Sequence, residues 1–367
     1  MRNVFITGAT GFLGSYLLKR ILDDGDTRPI VLARGKKTGS AAERVKNIAK
    51  YFYGGNYATA LKRIRVVEGE VDKEFLGIDN AIRKPLIKEV DEIYHSAAIA
   101  EFRIPLDRIR RSNVIGTENV LKFAMECKAS GHMKKLNHIS TTFVAGKKSG
   151  VFYEKDLDVG QKFNNTYEQS KFEAEILVHK YMKKGLTAAI FRPSILTGDY
   201  VAGRTSNFKM LYQPLRFFVR ELFDAIPADR STCFNMIPVD FTAEAICAIT
   251  KENESIGGTY HIANTRIMPL GSFIDVASDF FGFKKPEFVP LKDFSMNTLT
   301  TVQKNLIEPY IPYFNYKTIF DSVNTMDMLE EKGFQCPIVD TDFLVKLFKF
   351  CDETGFMKRK KRYVTAG

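Results

Sequence analysis

The chain opens with a short apolar strand that runs directly into a glycine-rich turn and a helix, VFITGATGFLGSYLLKR. Gly8, Gly11 and Gly14 follow one another at three-residue spacing. In such a unit the first glycine makes the turn, the second lets a pyrophosphate approach the backbone, and the third lets the helix pack closely on the strand. The free N–H groups at the start of the helix favour an anion. This context predicts a dinucleotide-binding unit rather than an ordinary turn.

Short β-branched runs alternate with helical stretches along the first half of the chain, which predicts right-handed βαβ crossovers. We predict strands at Val4–Ile6, Pro29–Ala33, Ile64–Glu68, Glu92–His95, Leu136–Ser140 and Ala188–Phe191. The fold class is therefore α/β, a doubly wound parallel sheet (Rossmann) with a smaller, mostly C-terminal substrate lobe. We assign residues 1–200 to the dinucleotide-binding core, with returns near 235–265, and residues 201–234 and 266–367 to a substrate-binding lobe or lid. The aromatic, basic stretch Asn207–Ile226 fits a lid, a membrane-surface helix or core.

Composition narrows the class of protein. Of the 367 residues, 45% are hydrophobic and 26% charged, which is typical of a soluble enzyme. We expect no transmembrane helix, since no long uncharged apolar run occurs, and no signal peptide, since Val4 already begins the first strand. The five cysteines are scattered without a CxxC pair, and the five histidines are dispersed. This pattern argues against a zinc site or a disulfide framework and favours the cytoplasm.

The formal net charge is +11, and five positive charges fall in one run near the end of the chain. The run is Lys358, Arg359, Lys360, Lys361 and Arg362. It is interpreted either as a solvated tail or as an attraction to an anionic partner, such as a carrier protein with a phosphopantetheine arm, coenzyme A or a lipid surface. No nucleic-acid-binding module accompanies it, so we expect no nucleic-acid partner. The oligomeric state is left open.

The end of the second strand bears on the choice of dinucleotide. A carboxylate there would bind the adenosine ribose and select NAD. This chain has VLARGKK instead, with Arg34, Lys36 and Lys37, and Arg44 follows in the next helical stretch. Because guanidinium groups suit a 2′-phosphate, NADP(H) is the predicted cofactor. The alternative is a solvated basic loop.

A hydroxyl, a tyrosine and a lysine form the candidate catalytic group. NNTYEQSKFEAEILV places Tyr167 and Lys171 four residues apart on one helix face, and Asn165 with Glu168 resembles a capping box. The fifth strand ends in HISTTFVAG, a run of hydroxyls at the sheet edge where ligands bind. The phenol of a free tyrosine has a pKa of about 10, and a nearby ammonium stabilises the phenolate. A hydroxyl, a tyrosine and a lysine can therefore transfer the proton that accompanies a hydride transfer. The alternative is an exposed helix pair.

Together these motifs resemble the extended short-chain dehydrogenase/reductase superfamily. HSAAIAEFRIPLDRIRRSNVIGTENVLKFA (His95–Ala124) and FRPSILTGD (Phe191–Asp199) resemble its thioester reductase and fatty acyl-CoA reductase branch, the male-sterility type. Sugar-nucleotide epimerases share the NVxGT-like stretch but usually lack the HxAAxxxFxxPL form. The resemblance is specific over about residues 3–200 and weaker beyond them.

The resemblance implies roles for individual residues. Thr141 is the matching catalytic hydroxyl, with Thr142 as the alternative; Tyr167 is the proton donor and Lys171 its partner on the nicotinamide ribose. With the glycine turn and the arginines, the predicted cofactor-binding residues are Gly8, Thr10, Gly11, Phe12, Leu13, Gly14, Arg34, Arg44, Val71, Ala97, Ala98, Ile99, Asn113, Tyr167, Lys171, Pro193, Ser194 and Ile195. The family often has Gly-Asp after the third strand, where the aspartate meets the adenine. Here that place reads Gly69-Glu70-Val71.

The resemblance also implies the reaction. It is NADPH-dependent reduction of an acyl thioester, carried on coenzyme A or on a carrier protein, to an aldehyde, with further reduction to the alcohol left open. One alternative is an epimerase, dehydratase or ketoreductase that acts on a sugar nucleotide or another carbonyl compound, because a fold does not fix a function. Another is a dinucleotide-sensing protein without catalysis.

Overall fold

The computed structural model describes residues 1–35 and 39–358. Two predicted features, the lysines at 36 and 37 and the basic run from residue 359, lie outside the described residues. The strands are β1 (Arg2–Thr7), β2 (Thr27–Ala33), β3 (Arg65–Glu68), β4 (Glu92–His95), β5 (Lys135–Ile139), β6 (Gly150–Phe152), β7 (Ala188–Pro193), β8 (Ile195–Thr197), β9 (Ala225–Ile226), β10 (Cys233–Phe234), β11 (Met236–Pro238), β12 (Thr259–Ile262), β13 (Met268–Pro269), β14 (Glu287–Phe288) and β15 (Thr318–Phe320).

The main sheet of the described residues contains seven parallel strands in the order β12-β7-β5-β4-β1-β2-β3. Every strand predicted from the sequence belongs to it, and β12 adds the seventh. The strand order reverses between β1 and β4, and in such sheets ligands bind at the carboxyl ends of the strands at this point. The predicted α/β fold class, a doubly wound parallel sheet, is confirmed.

Helices cover both faces of the sheet. They are α1 (Phe12–Asp23), α2 (Ala41–Tyr53), α3 (Tyr57–Lys62), α4 (Asn80–Glu89), α5 (Leu106–Arg110), α6 (Gly116–Ala129), α7 (Thr166–Lys183), α8 (Tyr212–Val219), α9 (Val239–Thr250), α10 (Leu270–Phe281), α11 (Thr301–Ile307), α12 (Ile311–Phe314), α13 (Val323–Glu330) and α14 (Thr341–Glu353). One apolar cluster joins α1, α2 and α9 to the sheet, and another joins α4, α6 and α7. Within the described residues, no helix combines the length and apolarity needed to cross a membrane.

A separate apolar core lies beyond the sheet, built largely by α8, α10 and α14 with several buried phenylalanines. Within the aromatic stretch Asn207–Ile226, the helix α8 covers only eight residues. Leu215 and Phe218 on that helix are buried in this core. Phe143 and Ile195, from the first 200 residues, belong to the same core. The division of the chain at residue 200 therefore stays a prediction.

The C-terminal part returns to the sheet-bearing part of the molecule. β15 pairs in parallel with β6, placing Thr318 opposite Gly150. The backbone N–H of Asn324 donates to the carboxylate of Glu154 at 2.7 Å, and the Thr325 hydroxyl donates to it at 2.6 Å. Glu154 is only 1% exposed, so these donors from the C-terminal part help to satisfy a buried carboxylate.

Candidate active site

The glycine turn leaves room for a phosphate at the start of α1. Gly8 has a φ of +75°, and a Cβ there would lie 2.5 Å from the Ala97 nitrogen. A Cβ on Gly14 would overlap the Gly8 carbonyl. Gly11 precedes α1 and provides no side-chain cap, so the first N–H groups of the helix are available to a ligand. The turn therefore fits the pyrophosphate of a dinucleotide.

A cavity of about 220 Å³, which we call the cofactor cavity, opens beside this turn. Nine of the predicted cofactor-binding residues line it: Gly8, Thr10, Gly11, Arg34, Arg44, Val71, Ala97, Ala98 and Ile99. Phe12, Leu13, Gly14, Asn113 and Pro193 are not among the residues that line it. Leu13 and Gly14 are buried in α1, where they pack the helix against the sheet. Their side chains therefore serve packing, and any contact of Leu13 with the cofactor would come from its backbone N–H at the start of α1.

Two arginines converge at the far side of the cofactor cavity. Arg44 donates to the Arg34 carbonyl at 2.9 Å and also contacts the Thr10 hydroxyl. Burial and the charge of Arg34 lower the pKa of Arg44. The Arg34 guanidinium donates at 3.0 Å to Glu70, the residue that departs from the family pattern. Arg34, one of the two arginines predicted to bind the 2′-phosphate, is therefore already paired with the Glu70 carboxylate.

Thr141 and Tyr167 line a second cavity of about 420 Å³, which we call the catalytic cavity. Thr141 donates at 3.3 Å to the Pro193 carbonyl, and Lys171 donates at 2.8 Å to the Ile139 carbonyl beneath the cavity. The structure thus brings all three predicted catalytic residues together. Loop residues 96–99 line the cofactor cavity and residues 100–103 line the catalytic cavity, so the two cavities are neighbours.

Burial controls the charges of this group. It raises the pKa of Tyr167 to about 12, although the hydrogen bond with Thr141 opposes the change. It lowers the pKa of Lys171 to about 8, while the Glu175 carboxylate favours the charged form. Burial and the nearby Lys171 charge lower the pKa of His95 to about 3 and move that of His138 the same way. Both imidazoles are therefore neutral near pH 7, and Lys171 supplies the positive charge.

Three further predicted residues take different positions. Thr142 is fully buried with an unpartnered hydroxyl and does not line the catalytic cavity, whereas Ser194, also unpartnered, does. Asn113 is fully buried in a π-helical turn between α5 and α6. It accepts from the Ile99 N–H at 2.7 Å and donates to the Ile99 carbonyl at 3.0 Å. Asn113 therefore positions the loop beside the cofactor cavity rather than lining that cavity.

A contact that the sequence did not predict joins Tyr313, on α12, to α7. Asn165 caps this helix as predicted, because it accepts from the Glu168 N–H at 3.0 Å. The reciprocal half of the capping box is wrong: the Glu168 carboxylate accepts from the Asn164 N–H and from the Tyr313 hydroxyl, the latter at 2.6 Å. Phe102 stacks on Tyr313 with ring centroids 5.3 Å apart. Phe102 belongs to the HSAAIAEF motif that the sequence analysis identified, but no motif in the sequence predicted a contact between Tyr313 and the site.

The family profile described as male sterility protein, a model of NAD-binding domains, matches residues 6–246. The chain belongs to this family. It is accordingly an NAD(P)-dependent oxidoreductase of the extended short-chain dehydrogenase/reductase type, as the motifs predicted.

Curated relatives of this male sterility family member are much longer proteins. It is 31% identical to the nonribosomal peptide synthetase asaC of Aspergillus flavus over 71% of the chain and 26% of the relative. It is 26% identical to the L-2-aminoadipate reductase large subunit of Penicillium chrysogenum over 78% of the chain and 21% of the relative. The chain thus spans about a quarter or less of these relatives.

Solved structures of reductase domains are also similar to this chain. The terminal R domain of the myxalamid PKS-NRPS pathway has a TM-score of 0.84 and 25% identity, with 98% of this chain and 93% of that one covered. An archaeal thiolation-reductase di-domain has a TM-score of 0.80 and 25% identity, with 97% and 76% covered. UDP-glucuronic acid 4-epimerase from Bacillus cereus, at 18% identity and a TM-score of 0.68 over 96% of this chain and 97% of that one, is similar in fold alone.

Proposed function

We propose that the chain reduces acyl thioesters with NADPH and releases an aldehyde. The observation that carries this proposal is that Thr141 and Tyr167 line the catalytic cavity beside a cavity that fits a dinucleotide, while the buried Lys171, one turn after Tyr167 on α7, donates to the Ile139 carbonyl at the end of β5. The similarity to R domains and to L-2-aminoadipate reductases supports the choice of a thioester over a sugar nucleotide.

The hydroxyl groups of Thr141 and Tyr167 both line the catalytic cavity, and each can donate to one substrate oxygen there once Thr141 exchanges the Pro193 carbonyl for that oxygen. Bound NADPH supplies the hydride. Negative charge then develops on the substrate oxygen, where two fixed donors stabilise it more in the transition state than in the ground state. The Lys171 ammonium, held by the Ile139 carbonyl, favours transfer of the Tyr167 proton. Loss of the thiol leaves the aldehyde, and no covalent bond to the protein is needed.

We also propose that the thiol belongs to a phosphopantetheine arm, on a carrier protein or on coenzyme A. One solved relative is a thiolation-reductase di-domain, which supports delivery by a carrier protein. Arg103 lines the catalytic cavity, and a basic group favours an acidic or phosphate-bearing partner, whereas Lys209 there is paired with Glu101.

The direct test is the oxidation of NADPH in the presence of acyl-coenzyme A, acyl-carrier protein and UDP-sugar substrates. We expect turnover of acyl thioesters, and mass spectrometry of the products distinguishes aldehyde from alcohol. Turnover of a UDP-sugar or a free ketone, with every acyl thioester inert, would overturn the proposal.

Thr141 and Thr142 provide a matched pair. Thr141→Ala removes a donor from the catalytic cavity, and we expect kcat to fall about 10²- to 10³-fold, as for other oxyanion donors. Thr142→Ala removes only a buried, unpartnered hydroxyl, so kcat is expected to stay close to that of the wild type. Steady-state kinetics on one acyl thioester checks both values. A larger loss in Thr142→Ala would transfer the role to Thr142.

The NADPH preference is proposed to rest on Arg34 and Arg44. Arg34→Ala is expected to raise KM for NADPH about tenfold and leave KM for NADH nearly unchanged, because a charge-assisted contact with phosphate is lost. Glu70→Gln is expected to lower KM for NADPH, because it releases Arg34 from its ion pair. Lys50→Ala, on α2 but directed at the Tyr57 ring, is the control. An unchanged ratio of the two KM values in Arg34→Ala would exclude Arg34 from phosphate binding.

A further inference from the structure

A smaller cavity of about 60 Å³ adjoins the catalytic cavity. Core residues of α8 and α10 line it, among them Leu215, Phe218 and Ile274. Ile195, Met210 and Tyr310 line both cavities, so the two spaces meet at these side chains. The small cavity therefore differs from a closed packing defect, because it adjoins a space that a substrate would occupy.

The shared wall lies close to the candidate catalytic group. Thr141 donates to the Pro193 carbonyl, and Ile195 is only two residues further along the chain. A substrate whose reacting carbonyl contacts Thr141 and Tyr167 would therefore meet Ile195 and Met210 with the part of its acyl group next to the carbonyl.

Met210 is held in an unusual backbone conformation at this wall. Its φ is +39°, in the left-handed region that favours glycine, and such strain is concentrated at functional sites. The preceding residue, Lys209, is tied to Glu101 across the catalytic cavity by a 2.8 Å ion pair. The side chain of methionine is flexible and adapts to irregular apolar surfaces. Met210 therefore combines a constrained backbone with a movable side chain.

We propose that the small cavity is an acyl subsite, which takes the far end of a short uncharged acyl group, and that Met210 is its gate. This inference rests on the proposed thioester reduction. Among the described residues that line the small cavity there is no Asp, Glu, Lys, Arg or His. A charged acyl end would lose its hydration there without gaining a partner. Glu101, Arg103 and Lys209 line only the wider cavity, where the thiol arm enters.

Two variants change the subsite in opposite directions. Leu215→Phe adds volume to the wall of the small cavity, and we expect the ratio of kcat/KM for the hexanoyl over the propionyl thioester of N-acetylcysteamine to fall about tenfold or more. Met210→Ala widens the entrance, and we expect the ratio for octanoyl over hexanoyl to rise several-fold. In the wild type, hexanoyl is expected to be preferred to adipoyl, which has the same length and a charged end, by at least about tenfold.

Leu344→Phe is the matched control, because Leu344 is fully buried in the same core but does not line the small cavity. It is expected to lower Tm without changing the chain-length ratios. If Leu215→Phe does not fold, Met210→Ala, which lies on the partly exposed wall, still tests the inference. Thioester turnover with unchanged ratios in the folded variants would overturn the acyl subsite and leave the proposed function standing. Absence of turnover with every thioester would overturn both.

Discussion

Tyr167→Phe is expected to lower kcat for acyl thioester reduction about 10²- to 10⁴-fold, the range found when a positioned proton donor is removed. The phenylalanine keeps the ring that packs near Phe102 but cannot donate to the substrate oxygen. Stopped-flow measurement of a single turnover with NADPH isolates the chemical step from product release.

The matched control for this variant is Tyr181→Phe. Tyr181 lies on the same helix, α7. It is buried in the apolar cluster that joins α4, α6 and α7 to the sheet, which is separate from the cluster that contains α1. It is expected to keep the wild-type kcat. A Tyr167→Phe enzyme that reduces thioesters at the full rate would show that another group donates the proton.

Glu175→Gln is expected to reduce the free energy of unfolding by about 3–5 kcal/mol, because it leaves the Arg192 guanidinium buried without a counter-charge. Glu175 and Arg192 are fully buried, and the Arg192 Nε donates to Glu175 at 3.0 Å. Ser140 also donates to this carboxylate, at 2.5 Å. The midpoint of urea unfolding, compared at equal slope, measures the loss.

The pH dependence of this effect has a definite sign. Burial alone would raise the pKa of Glu175, but Arg192 and the hydrogen bonds hold it well below the ordinary value. Its stabilising contribution is therefore complete above a pH of about 4.3, the pKa of an unfolded glutamate, and is lost as the pH falls further. The difference in stability between the wild type and Glu175→Gln should narrow in acid.

Glu173→Gln is the control on the same helix. Glu173 pairs with the exposed side chain of Arg110, and exposed pairs of this kind contribute about 1 kcal/mol or less. Equal losses of stability in Glu173→Gln and Glu175→Gln would show that burial of the Glu175–Arg192 pair does not set its contribution.

Local patterns in the sequence were sufficient to predict the main sheet. The β4 prediction matches the observed strand, Glu92–His95, and the other predicted strands differ from the observed ones by no more than two residues at either end. Buried parallel strands are continuous apolar runs, and the glycine turn fixes the first of them. Phe191 and Arg192 lie in a quoted motif, yet the pairing of Arg192 with Glu175 depends on the approach of α7 to β7, which no local pattern encodes.

The candidate site likewise contains residues that the sequence predicted and contacts that it did not. Thr141, Tyr167 and Lys171 could be found because a strand end and one helix face bring them together. The ion pair between Glu70 and Arg34 joins residues 36 positions apart, and Tyr313 reaches Glu168 from 145 positions away. Such contacts depend on how loops and the lobe pack, and a single sequence provides no spacing rule for them.

The buried carboxylate of Glu154 sets an order of events during synthesis. Its donor Asn324 emerges from the ribosome 170 residues after it, and the partner of β6 arrives with the same segment. Until then the Glu154 carboxylate has the His261 N–H as a donor but lacks its donors from residues 324 and 325, and β6 lacks its partner strand. Folding of the N-terminal part is therefore expected to finish only after residue 325 has left the ribosome, and chains that stall earlier are expected to depend on chaperones for their solubility.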